Sequence, residues 1–144
     1  VNSEGRARLE FPGRVPPSLN AVAGRPNAAA WRRFKVLWGE LIGQELIAAQ
    51  ARGELPVGNL DWVEAAGVIR FATRRERDEG NYRAVLEKAL GDALVGDRRV
   101  WPGGHWLPDD THEHFVFRQV AILVDPAAEP KTAIEFNWRK GRLL

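Results

Sequence analysis

The sequence predicts an α/β (α+β) domain, a small mixed sheet covered by two helices, and three observations carry that expectation. Two long stretches place apolar residues at helical spacing, shorter stretches are rich in β-branched and aromatic residues, and the two kinds are interleaved along the chain. The resulting order is strand, helix, strand, helix, strand, strand. A length of 144 residues suits a single domain, taken as 1–144. A domain of this size buries roughly 68–70% of the surface its unfolded chain exposes.

The first element is a short strand, Ala7 to Phe11, where polarity alternates. Pro12 to Asn27 is dense in Pro, Gly, Ser and Asn and reads as a long irregular loop, a kind of segment that is often functional. Arg14 and Arg25 lie in it and are placed either against a phosphate backbone or in solvent. Ala28 to Gln50 then repeats Trp31, Phe34, Trp38, Leu41, Ile42, Leu46 and Ala49 with helical period, Asn27 serving as N-cap and Gly53 as stop. Its aromatics read as core rather than as base-stacking platforms. Arg32, Arg33 and Lys35 occupy the opposite face, as a DNA contact or a solvated surface.

After a linker, Gly53 to Asn59, the run Asp61 to Thr73 is rich in Val, Ile, Phe and Trp and reads as a long strand. It leads directly into Arg74-Arg75-Glu76-Arg77. A second helix covers Tyr82 to Val95, with Val85, Leu86, Ala89, Leu90, Ala93 and Leu94 forming an apolar stripe that packs on the sheet. Gly96 to Asp110 is a loop that delivers Asp109 and Asp110. The last strands are Glu113 to Val124, opening near His112 and His114, and Lys131 to Trp138, followed by the basic tail Arg139-Lys140-Gly141-Arg142. Two histidines at i, i+2 share one strand face and could bind a transition metal, but surface histidines are the more common case.

Composition bounds the function. A hydrophobic content of 44% and a charged content of 28% are ordinary for a globular chain. The net charge is only +2, so any attraction for nucleic acid must come from how charge is distributed. There is no cysteine, which excludes disulfides and thiolate zinc sites and fits a reducing compartment. The first residues lack a signal-peptide core and no stretch reaches the roughly 18 apolar residues of a membrane span, so a cytoplasmic protein without membrane contact is expected.

Arg77 to Thr111 holds the chemistry. Acidic groups far apart in sequence, accompanied by a lysine and an asparagine, are what a divalent-metal site for phosphodiester hydrolysis requires, and they point to a nuclease. Residues on a helix advance about 100° each, so Asn81, Lys88 and Asp92, separated by steps of seven, four and eleven, project in one direction. The same spacing also describes an ordinary i, i+4 surface pair. Arg74, Arg75 and Arg77 stand just before Asp78, where guanidinium groups would attract a polyanion and make bidentate phosphate contacts. Hard oxygen ligands indicate Mg²⁺, with Mn²⁺ as a substitute. The expected place of the metal is where the second strand ends and the site helix begins.

Arg77-Asp78-Glu79-Gly80-Asn81, the helix with Lys88-Ala89-Leu90-Gly91-Asp92-Ala93-Leu94, and Asp109-Asp110 before a strand together resemble the signature of the RusA-type crossover-junction endodeoxyribonucleases. Pro16-Pro17-Ser18-Leu19-Asn20 after a short strand is similar to the opening of that family, and the likeness runs from about Leu9 to Phe136. The resemblance implies a RusA-like fold and a homodimeric, Mg²⁺-dependent enzyme that resolves four-way (Holliday) DNA junctions in recombination and repair. It makes Asp78 and Asp110 metal ligands, Asn81 the companion at the helix start and Lys88 the catalytic lysine. Gly80 stands where many members have a second aspartate, so either Glu79 or Asp92 supplies that carboxylate or the site works with fewer ligands. About four extra residues between Asn81 and Asp92 add roughly one turn. Two other readings stay open at this point: a DNA-binding protein of the same fold without cleavage, and a nuclease for other branched DNA such as flaps and forks.

Overall fold

The computed structural model describes residues 3–96 and 106–141. The elements are β1 (Glu4–Pro12), a short helix α1 (Leu19–Val22), a 3₁₀ turn (Arg25–Asn27), α2 (Ala28–Ala51), β2 (Trp62–Phe71), α3 (Glu79–Val95), β3 (Phe115–Val124) and β4 (Lys131–Arg139). This is a mixed α+β fold in which four strands form one sheet in the order β1-β4-β2-β3. β4 pairs antiparallel with both β1 and β2, whereas β2 and β3 run parallel and are joined through α3. A parallel pair needs such a crossover connection, which is why a helix interrupts the strands here.

Alternation along the strands sorts the sheet into two faces. Ala7, Leu9 and Phe11 of β1, Val63, Ala65 and Ile69 of β2, and Ile134, Phe136 and Trp138 of β4 point into one core. The helices α2 and α3 complete that core through residues such as Phe34, Trp38, Ile42 and Leu46, and Val85, Leu86, Ala89 and Leu90. The other face is charged and solvated, with Arg8 paired to Glu10 and Glu135, and Arg118 paired to Glu64. Such exposed pairs contribute little each, about 0–1 kcal/mol, so the one-sided apolar core holds the sheet.

The direction of each helix places the site. Phe11 contacts the Trp38 ring at 5.4 Å, the Glu10 amide bonds Glu45 at 3.4 Å and the Arg8 amide bonds Glu54 at 3.2 Å. Stepping back along β1 therefore means stepping forward along α2. Likewise α3 starts beside the end of β2, where Tyr82 meets the Phe71 ring at 5.5 Å, and finishes beside Phe115 at the start of β3. Both long helices thus begin at the same end of the domain, where β1 and β2 finish. No described helix is long and apolar enough to cross a membrane.

Several expectations are revised in detail. Pro12 to Asn27 is not wholly irregular, since α1 and the 3₁₀ turn lie within it. Asn27 precedes α2 but makes no side-chain cap; its Nδ2 donates backward to the Ala23 carbonyl at 2.8 Å. At the other end, Gly53 (φ 80°) closes α2 with N–H bonds from Gly53 to Gln50 and from Glu54 to Ala49, a Schellman arrangement. His112 and His114 lie in a turn ahead of β3, not on a strand face, and His114 Nδ1 is within 2.9 Å of the Asp61 carbonyl. Arg139 belongs to β4, and Lys140 is tied to Ser3 and Val57, so the basic tail begins anchored; Arg142 lies outside the described residues. Residues 97–105 of the expected loop are also outside them.

Candidate functional site

Asp78 is the N-cap of α3. Its Oδ1 accepts the Gly80 amide at 2.8 Å, and the carboxylate satisfies one of the donors left open at a helix start. Glu79 in the first turn is exposed and Asn81 is half-buried. Arg74 and Arg75 stand exposed in the preceding loop, at the end of the domain that also carries Arg14. Arg77 is used differently from the expectation. Its guanidinium lies 3.7 Å from the Phe71 ring centre and donates to the Thr73 carbonyl at 3.0 Å, Thr73 Oγ1 at 3.2 Å and the Arg75 carbonyl at 3.3 Å. These three bonds hold the loop that presents Asp78, so Arg77 positions that loop as well as carrying charge beside it.

The far end of α3 holds the second half of the site. The apolar stripe is buried as expected, but Asp92 is buried with it at 8% exposure, so the polar face is not simply presented outward. Lys88 Nζ lies 3.0 Å from Asp92 Oδ1, with the lysine side chain 41% exposed and that of Asp92 10%. This is an i, i+4 pair with one partner taken out of water, not the exposed pair of the simplest reading.

Asp110 reaches the same place from the following segment. Gly96 ends α3 with φ 84° and its N–H on the Asp92 carbonyl at 2.8 Å. Trp106 and Leu107 are buried, and their amides both bond the Leu94 carbonyl, at 2.9 and 3.1 Å, while the Trp106 carbonyl accepts from Leu60 at 2.6 Å. These bonds lay Pro108 to Asp110 over the last turns of α3. A Cβ on Gly91 would stand 3.3 Å from Asp110 Cβ, from Asp110 Oδ2 and from the Phe115 ring, a tight fit in which the aspartate or the ring must give way, so glycine leaves the aspartate room beside the helix. Asp109 is used in the turn itself, accepting Thr111 Oγ1 at 2.6 Å and the Thr111 amide at 3.0 Å. The Thr111 hydroxyl and amide, helped by His114, hold the Asp109 carboxyl below its ordinary value of 3.8. The turn therefore stabilises the fold fully above that value, and its contribution is lost as the pH falls through the lowered one.

The two halves are far apart. From Asp78 to Asp92 is fourteen residues of chain, roughly 20 Å along the helix axis. The expected location at the start of α3 does not gather these residues: Lys88 pairs with Asp92, and Asp110 lies against Gly91 in the second half of α3, while Asp78, Glu79 and Asn81 stand at its beginning. Among the described residues no group of three or more His, Cys, Asp or Glu is placed to hold a metal ion. The donors at the far end, two aspartates with hard oxygens, suit Mg²⁺ or Mn²⁺ in kind, and one chain supplies them in a small number.

Gly91 is itself a signal in the sequence. A glycine inside a helix costs about 1 kcal/mol against alanine and commonly marks a close approach. Gly91→Val is expected to push Asp110 away and reduce metal-dependent cleavage about 100-fold, since a displacement near 1 Å has that effect on positioned groups. DNA affinity should change little. A single-turnover rate equal to wild type in a folded Gly91→Val protein would detach Asp110 from the chemistry. Compared with known proteins, the chain matches no family model and no curated sequence.

Proposed function

We propose that this protein is a Mg²⁺-dependent endodeoxyribonuclease acting on branched DNA, with four-way junctions as its main substrate. The observation that supports the reading is that Asp110 lies against Gly91, the residue next to the buried Asp92 that pairs with Lys88, because these residues belong to separate motifs that resemble RusA-type resolvases. Asp92 and Asp110 would hold the ion, and Asp78 would complete the set. A bound divalent ion would polarise the scissile phosphate and favour ionisation of an attacking water. Lys88, half-exposed beside Asp92, would stabilise the negative charge that builds on the phosphate oxygens.

The distance between the two halves favours a site completed by a second copy. A homodimer with its α3 helices antiparallel about a two-fold axis brings the Asp78 end of one chain level with the Asp92 and Asp110 end of the other. The charges suit this arrangement, since Arg74 and Arg75 flank one end while Asp92, Asp109 and Asp110 gather at the other. It also meets a demand of the substrate: paired cuts on a two-fold junction need two sites held in one particle.

The direct test is whether an end-labelled four-way junction is cut by the purified protein on addition of Mg²⁺, with linear duplex of the same sequence as control. Lys88→Ala should lower the single-turnover rate about 100-fold or more and leave junction affinity within about threefold, because a charge aimed at the transition state acts mainly there. Lys88→Arg should rescue poorly, its planar guanidinium being no substitute for a point charge. A second reading, a junction-binding protein without cleavage, is favoured by Gly80 at a position where an acid is expected. It predicts salt-sensitive junction binding with no Mg²⁺-dependent nick.

A further inference from the structure

A groove of about 480 Å³ lies between α1 and the first turn of α2, walled by Leu19, Val22, Ala23 and Trp31, with Arg25 and Arg32 at its edge. Phe34 and Trp38 are core residues as expected, but Trp31 is half-buried and lines this opening. Its indole is stacked with Phe34 (5.6 Å between centres, 26° between planes), and Lys35 stands 6.0 Å from the ring centre.

Charge at the start of α2 runs against the usual arrangement. The amino end of a helix carries partial positive charge and favours acids in its first turn. Here the first turn has no acid, Asn27 provides no side-chain cap, Arg25 precedes the helix, and Arg32 and Arg33 follow in its second turn. A helix start with neither cap nor acid forgoes stabilisation that a bound anion would supply. The walls call for a flat apolar group and the rim for phosphate. A nucleotide whose base is not stacked in a duplex has both.

We propose that this groove binds an unstacked nucleotide of single-stranded or branched DNA, the base lying against Trp31 and its phosphates held by Arg25, Arg32 and the start of α2. The inference rests on the nuclease reading for its choice of DNA. It deepens that reading, because a branch point supplies bases freed from stacking at the end of the domain where Arg14, Arg74 and Arg75 also lie. Stacking of a base on an aromatic side chain tolerates any sequence, so the groove would recognise structure rather than sequence.

The test is fluorescence anisotropy with a labelled thymidine 12-mer, a four-way junction and a linear duplex, in EDTA to prevent cutting. Trp31→Ala should weaken binding of the single strand and the junction about 10-fold and of the duplex less than twofold, with Trp31→Phe close to wild type. Ala28→Glu provides a variant outside the core: an acid in the first turn suits the helix, so melting temperature should hold or rise while single-strand affinity falls about fivefold. Wild-type single-strand affinity in Ala28→Glu, or equal losses for duplex and single strand in Trp31→Ala, would overturn the proposal. Cutting of the junction by wild-type protein in Mg²⁺ is scored in parallel. Cutting with unaffected groove variants removes the groove alone, whereas selective binding without cutting removes the nuclease reading and leaves the groove standing.

Discussion

Asp110→Asn and Asp78→Asn are each expected to reduce Mg²⁺-dependent cleavage of a four-way junction by more than about 100-fold, with junction affinity within about threefold of wild type. The amide keeps the shape of the side chain but loses the negative charge that a hard divalent ion requires. The arginines proposed to attract the DNA stay in place. Asp78→Asn also retains an N-cap, since asparagine caps about as well as aspartate, so the fold should lose little stability. Single-turnover cleavage measured beside anisotropy separates the two effects. Full activity of Asp110→Asn at low Mg²⁺ would count decisively against the assignment. Comparing Asp92→Asn with Glu79→Gln shows which acid stands in for the one absent at Gly80. The burial of Asp92 beside Lys88, at the end of α3 reached by Asp110, favours Asp92.

Much of the architecture was legible because it rests on local periodicity. The stripe from Val85 to Leu94 and the repeat from Trp31 to Ala49 placed the two long helices, and clusters of β-branched and aromatic residues placed the strands within a few residues of their ends. The order β1-β4-β2-β3 was not legible, since it depends on pairings such as Leu9 with Ile134 that join residues far apart in the chain. The site shows a different limit. A helical repeat gives direction around the axis but not position along it: Lys88 and Asp92 touch, whereas Asn81 stands roughly two turns from Lys88 at the start of α3. Position along the axis is set by the fold, which lays Asp110 against Gly91. Arg77 shows a related limit: the sequence shows a guanidinium near Asp78, and only geometry shows it lying over Phe71 and bonded to Thr73.

The central claim, that each site takes Asp78 from one chain and Asp92 and Asp110 from another, can be tested by mixing two inactive proteins. In a mixed dimer of Asp78→Asn with Asp110→Asn, shared sites leave both substitutions in one site and the other site intact. Sites built within single chains leave both damaged. After subunit exchange, about half of the dimers are mixed and each has one intact site of two, so strand cutting should return to about a quarter of the wild-type level. The products should be nicked junctions rather than paired cuts. Sedimentation at the same concentration should show a dimer of the 16.1 kDa chain. No recovery of cutting in a mixture whose subunits demonstrably exchange would contradict the shared site, and a monomer that cuts as wild type would contradict the dimer itself.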